Sequence, residues 1–531
     1  MKFLLLFLPI FAFASWAEDT LKEMTLEEKI GQLFVAPACP LRKEDHWNDW
    51  MNIVKEFHIG NAIVKQSDPV SQVQFLNKLQ NESKIPLLVV ADAEWGLAMR
   101  MSNTIAFPRN MTLGAVSNLD LIYQMGAEIG RQARLVGIHM NLGPVADVNN
   151  NPANPIIHMR SFGEDPKEVS LRVSAYLRGI QAGGALACAK HFPGHGDTAV
   201  DSHFDLPFIP YSRSRLEKIE FAPFQQAISD GVAGLMSAHL FVPCIDEIYP
   251  TSLSAACLKN IARKELHFQG LLISDALNMK AIADRFSVEE IALFARNAGT
   301  DLLCYGDHKD PNIDQILREL IPSAFKALKE AYLSGALSLE ELDESVLRIL
   351  SSKEQLGLHL TREVSSANLN QALNSKEALL LKKQLFQEAV TLIGEPAKLE
   401  ENRAYLTIGE NDALMNEFAS IFRVSATLDA GAKADLLEKL RNFNQVVIAL
   451  HRIDQKTKDF GFSKECLELI EELSPKSILC VFGTPYSLRL FKKQKTILLG
   501  YENDQQAQCA VFNVLTGKEQ ARGKLPVTVP N

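Results

Sequence analysis

The stretch ALACAKHFPGHGDTAVDSHFDLP, residues 185–207, sets an apolar run directly against a loop crowded with titratable groups. Residues 185–192 have the length and apolar make-up of a buried strand, and Lys190 and His191 stand near its C-terminal end. Pro193, Gly194, Gly196 and Pro207 punctuate residues 193–207, which therefore read as a loop rather than a helix or strand. That loop carries His195, Asp197, Asp201, His203 and Asp205. A buried strand that ends in charged side chains gathers its chemistry at one edge of a sheet.

The pattern recurs along the chain. Apolar runs stand at 33–38 (LFVAPA), 61–65 (NAIVK), 87–93 (LLVVADA), 139–147 (HMNLGPVAD), 234–240 (GLMSAHL), 271–276 (LLISDA) and 301–306 (DLLCYG), which with 185–192 makes eight. Helical patterns such as LDLIYQMGAEIGRQARLVG (119–137) lie between them, with apolar residues at three-to-four spacing and a glycine near the end. Strands that alternate with helices pair in parallel. Eight such units in about 300 residues predict a (β/α)8 TIM-like barrel, with a doubly wound open sheet as the alternative. Asp92, Asp147, His191, His239 and Asp275 fall at or near the C-terminal ends of their runs, the face on which barrel enzymes build their sites. Capping of loops accounts for one or two such residues; five together point to a site.

Residues 328–356 read as helical packing that closes the barrel, and another helix is expected over 376–391. Four more apolar runs, at 404–410, 445–453, 477–485 and 496–502, predict a smaller three-layer α/β/α domain. The expected division is 1–17 signal peptide, 18–360 catalytic barrel, 361–395 linker and helix, and 396–531 C-terminal α/β domain.

Of 531 residues, 47% are apolar and 22% charged, an ordinary globular make-up. A net charge of −9 without a basic block argues against nucleic acid as partner. Lys2, the apolar run 3–14 and the small residues Ser15 and Ala17 read as a secretory signal cut near Ala17, which predicts a periplasmic or secreted protein with no membrane span after cutting. The alternative is an uncleaved N-terminal anchor. None of the eight cysteines forms a CxxC pair, and Cys188, Cys304 and Cys480 sit in apolar runs, so mostly free, buried thiols are expected.

Four readings compete for the loop. His191, His195 and His203 could ligate a metal, but they lack helical HExxH geometry and a local Cys or Glu. FPGHG lacks the spacing of a phosphate cradle. Asp197 and Asp205 suit simple loop capping. Acid/base work explains more: Asp201, two residues before His203, can accept from one ring nitrogen while the other faces a substrate. Asp275, at the end of LLISD, is suited to attack an electrophile.

The segment KHFPGHG (190–196) followed by DSH (201–203) resembles the signature of glycoside hydrolase family 3 β-N-acetylglucosaminidases, the NagZ type. Residues 143–166 (GPVADVNNNPANPIIHMRSFGEDP), LLISDALNMKAI (271–282) and the closing GKLPVTVP are similar to that family in the same order. The resemblance covers most of residues 20–531 and is strongest over 140–282. It implies Asp275 as nucleophile, His203 as general acid/base paired with Asp201, and Asp92, Arg100, Arg160, Lys190 and His191 as residues holding the sugar. It implies no metal or organic cofactor. One departure stands out: DAEWGLAMR (92–100) has Trp95 where the family usually has a glycine. Trp95 either packs beside the barrel mouth or walls the sugar site.

The implied function is an exported, retaining exo-β-N-acetylglucosaminidase acting on peptidoglycan fragments. Alternatives are a β-glucosidase-like member, a phosphorylase, in which a histidine acid tolerates an incoming phosphate anion, and a catalytically dead wall-binding protein.

Overall fold

Apolar runs without alternation are strands buried on both faces, and parallel pairing under helices is what buries them. In the computed structural model eight do this: β1 (Phe34–Ala38), β2 (Asn61–Val64), β3 (Leu88–Ala91), β4 (Met140–Asn141), β5 (Leu186–Phe192), β6 (Gly234–Ser237), β7 (Leu271–Ser274) and β8 (Leu303–Cys304). Residues 15–42, 44–202, 204–306, 312–410, 417–451, 453 and 457–530 are described. His203 and the apolar leader 1–14 lie outside the described residues.

The strand order is β7-β6-β5-β4-β3-β2-β1-β8, every pair parallel. A parallel bridge between Ile273 and Leu302 joins β7 to β8 and closes the ring. The fold of this part is therefore the expected barrel, not an open sheet. The strands are shorter than their apolar runs, and β4 shows why. Pro144 has no N–H to donate, and on the β3 side the last backbone bond is Leu142 N to Ala91 O, beyond which the Asn141 side chain takes over: Asn141 Oδ1 accepts from Ala93 N and Asn141 Nδ2 donates to Ala93 O, both at 3.1 Å.

The second sheet holds six strands in the order β11-β10-β12-β13-β14-β9. They are β9 (Thr391–Gly394), β10 (Arg403–Ile408), β11 (Ile421–Val424), β12 (Gln445–Leu450), β13 (Ser477–Val481) and β14 (Thr496–Leu499). Tyr405, Val447 and Ala449 pack on one side with Phe386 and Val511, while Leu406, Val446 and Ile448 face the other with Leu436 and Leu469. Those are the three expected layers. Two strands were not anticipated. β9 runs antiparallel to β14 within the segment expected as a linker. Both β9 and β11 are four residues long and largely half-exposed at sheet edges, and β9 directly follows the helix Lys376–Ala389.

The described chain begins already folded. Ser15 caps the helix Trp16–Glu23 in a reciprocal box with Glu18. Trp16 N donates to Glu354 Oε1 at 2.8 Å, the Trp16 ring stacks on His359 at 5.4 Å, and Ala17 is fully buried. All eight cysteines are free thiols and six are buried. Among the described residues no helix is long and apolar enough to cross a membrane.

Candidate active site

A regular strand turns alternate side chains to opposite faces. β5 breaks that rule where it matters. Its register against β6 shifts between Lys190 and Phe192, and such a bulge re-aims neighbouring side chains. Both Lys190 and His191 line the same pocket at the barrel mouth.

Lys190 Nζ reaches Asp92 Oδ1 at 2.8 Å and Glu94 Oε1 at 3.0 Å. Arg100 Nη2 holds the other oxygen of Asp92 at 2.5 Å. Arg160 grips Glu94 with two N–H groups, Nη2 to Oε1 at 2.7 Å and Nε to Oε2 at 3.0 Å. Burial alone would raise the Asp92 carboxyl, but Lys190, Arg100 and Lys65 override it and hold it well below the usual range. Burial opposes ionisation of Glu94 too, and Arg160 with Lys190 pulls it down to about 2. The result is a rigid lattice of alternating charges, with donors and acceptors fixed before a ligand arrives.

His191 is oriented from behind. Its Nδ1 lies 2.7 Å from Asp147 Oδ2, and its Nε2 lies 3.3 Å from Arg160 Nη2. A guanidinium only donates, so Nε2 accepts and Nδ1 carries the proton, donating it to Asp147. Asp147, fully buried, also accepts from the backbone N of His195 at 2.7 Å. His195 sits between Thr198 Oγ1 (2.9 Å) and Ser202 Oγ (3.2 Å). Burial pushes its imidazole down to about 4, so it is a neutral tether of the loop. Gly196 is required here, because a β-carbon would lie 1.7 Å from Val148 O. Loops 143–166 and 193–207 thus close on each other beside the pocket. Asp201 and Ser202 stand on the second of them, and Ser202 lines the pocket.

Asp275 follows β7 and lines the same pocket. Its N donates to Ser237 O at 3.0 Å and its Oδ1 accepts from Ala276 N at 2.8 Å. His239, also expected at a strand end, bonds Ser252 Oγ (2.7 Å) and Ala276 O (3.0 Å) and so steadies the peptide after Asp275. The structure brings Asp92, Arg160, Lys190, His191 and Asp275 to one pocket and sets Arg100 on Asp92. The Asp201–His203 pairing lies outside the described residues because it involves His203. Among the described residues no three His, Cys, Asp or Glu side chains form a metal-holding group.

The description "Glycosyl hydrolase family 3 N terminal domain" matches residues 25–352. The chain belongs to glycosyl hydrolase family 3. It is a glycoside hydrolase. It is 26% identical to beta-hexosaminidase A of Pseudoalteromonas piscicida over 90% of either chain. It is 29% identical to beta-hexosaminidase LpqI of Mycobacterium tuberculosis over 57% of this chain and 78% of that one. A family 3 beta-N-acetylglucosaminidase from Paenibacillus sp. str. FPU-7 superposes with a TM-score of 0.81 at 30% identity, covering 95% of this chain and 99% of that one.

Within this family 3 hydrolase, Trp95 does not line the pocket. The Arg109 guanidinium covers its ring at 4.7 Å, so it packs beside the mouth. The second sheet's domain touches the loop that carries Arg160 and the segment that carries Arg109. Asn149 Nδ2 donates to Tyr486 OH at 2.7 Å, and the Tyr486 ring meets His158 edge-on at 4.9 Å. Glu502 accepts from Arg109 N (2.7 Å) and Thr112 Oγ1 (2.5 Å). Both contacts brace segments flanking Arg160 and Trp95. Glu94 and Asp147 were visible in the sequence but are not among the expected sugar-holding residues; each acts through a residue that is. Lys65 was missed outright, although it ends the run NAIVK as Asp92 ends its own.

Proposed function

We propose that this glycoside hydrolase, a β-N-acetylhexosaminidase, is exported and removes terminal N-acetylglucosamine from peptidoglycan fragments (muropeptides) with retention of configuration. The observation that supports it most is the Asp92–Lys190–Glu94–Arg160 lattice sharing one pocket with Asp275. Preset charged donors and acceptors match sugar hydroxyls, which both give and take hydrogen bonds. Asp275 attacks the anomeric carbon, the bond from that carbon to the leaving oxygen breaks, and His203 gives the leaving oxygen its proton. Water then adds to the glycosyl-enzyme from the same face, losing its proton to His203, and Asp275 is released. Asp201 orients and charges His203. The family resemblance of residues 140–282 and the apolar leader supply the choice of substrate and of compartment.

Digestion of purified muropeptides, with and without phosphate, tests this. Loss of one N-acetylglucosamine mass and release of the free sugar in both buffers is expected. A sugar 1-phosphate as product would overturn hydrolysis, and intact muropeptides beside a cleaved aryl N-acetylglucosaminide would overturn the substrate.

A further inference from the structure

Lys65 follows β2 and lines the pocket that holds Asp92, Lys190 and Asp275. Its backbone N donates to Ala38 O at 2.9 Å, continuing the β1–β2 ladder and fixing where the side chain starts. The side chain is buried, and its ammonium donates to the carbonyl of Gly306. Gly306 has φ +128°, and a β-carbon there would lie 3.1 Å from Lys65 Cε and 3.3 Å from Nζ. Glycine at 306 therefore leaves the space the ammonium occupies.

Every other cation of the lattice has a carboxylate: Arg100 has Asp92, Arg160 has Glu94, and Lys190 has both. Among the described residues Lys65 forms no ion pair. Burial works against its charge, and Asp92 is the strongest favourable influence on it, yet both Asp92 oxygens are engaged by Lys190 and Arg100. An ammonium carries three N–H donors, and the Gly306 carbonyl takes one. A buried cation so incompletely paired is costly to the fold. Methionine would fill the same space without that cost.

We propose that Lys65 is a specificity-determining residue of the sugar pocket, its ammonium donating to a hydroxyl at the non-reducing end of the bound sugar. This rests on the hexosaminidase reading above. With the anomeric carbon at Asp275, the far edge of an exo-bound sugar meets the residues that end β2 and β3. Asp92 is acceptor-only, so it takes the proton of a hydroxyl and leaves that oxygen's lone pairs free. Lys65 supplies the donor the oxygen then lacks. A sugar without that hydroxyl would leave both the ammonium and the carboxylate short of a partner, which is how a polar pocket rejects an analogue.

The test compares wild type, Lys65→Met and Lys65→Gln on an aryl N-acetyl-β-glucosaminide and its 3-, 4- and 6-deoxy analogues. Wild type should lose about 10–100-fold in kcat/KM on one of the three analogues, the range for a hydrogen bond to a charged group. K65M should be slower on the parent by a similar factor, mostly in KM, and that deoxy penalty should shrink to within about threefold. Its melting temperature should be no lower than that of wild type. K65Q, which keeps a donor without the charge, should fall between and carries the comparison should K65M fail to fold. Wild-type penalties retained in the folded variants would overturn the assignment of Lys65 alone. A wild-type enzyme inactive on the parent glycoside would overturn the hexosaminidase reading and this inference with it.

Discussion

Glu94→Gln separates the charge of the lattice from its shape. Glu94 is fully buried, holds Arg160 with two hydrogen bonds and shares Lys190 with Asp92. Its carboxyl lies at about 2 against an ordinary 4.5. A difference of about 2.5 units at about 1.4 kcal/mol each is on the order of 3 kcal/mol. The carboxyl is depressed in the folded state, so this stabilisation is fully present above about pH 4.5 and is lost as pH falls from there toward 2. The glutamine variant leaves Arg160 buried without a carboxylate, and breaking a buried pair in this way costs about 3–5 kcal/mol. We expect E94Q to be less stable than wild type by that amount at pH 7, with a gap that narrows by about 2 kcal/mol by pH 3. Urea unfolding followed by tryptophan fluorescence between pH 7 and 3 measures the gap directly. At pH 7 kcat/KM should fall by about 100-fold, because a guanidinium displaced by about 1 Å no longer meets the sugar. Parallel stability curves for the two proteins across this range would refute the reasoning, since the Glu94 proton would then have no linkage to folding.

His203→Ala should cut turnover of poor leaving groups by about 10²–10⁴-fold and that of activated aryl glycosides much less, with Asp201→Asn a milder copy; equal losses on both substrate types would remove His203 from the acid role. Tyr486→Phe deletes the hydroxyl that accepts from Asn149, a loss of about 1 kcal/mol. It should raise KM by about three- to tenfold with the fold intact, and an unchanged KM would show that the second domain does not brace the Arg160 loop. A cut near Ala17 gives a mature exported protein that begins near Glu18 and lacks the contacts of Ser15, Trp16 and Ala17. N-terminal sequencing that found Ser15 first would move the cut to the Ala-Phe-Ala of residues 12–14, and one that found Met1 on active cytoplasmic protein would overturn export.

The barrel was legible because eight buried parallel strands leave eight apolar runs, and charged residues at their ends betray the working face. Lys190 and His191 were legible as a pair through the motif they open, but the bulge that turns both inward has no mark of its own in the sequence. Glu94 and Asp147 were harder to place, since a carboxylate's role depends on which cations other strands bring against it. Arg160, Lys190 and His191 come from 66 to 97 residues beyond Glu94 in the chain. Lys65 looked like the ordinary end of a strand, and only its burial without an ion pair among the described residues singles it out. Trp95 could be read two ways because nothing in the sequence says that Arg109 covers it. The edge strands β9 and β11 escaped notice because each is only four residues long, and β9 begins at the end of the stretch read as a helix over 376–391.

The central claim is covalent catalysis by Asp275, and trapping the intermediate tests it most directly. An aryl N-acetylglucosaminide fluorinated on the ring, which slows breakdown more than formation, is mixed with the enzyme, and the intact and digested protein are weighed by mass spectrometry. One sugar mass on the peptide containing LLISDALNMK, absent from Asp275→Ala, with the β-anomer as first product of the unmodified substrate, is the result this mechanism predicts. A label on any other peptide, or an α-anomer released first, would contradict it.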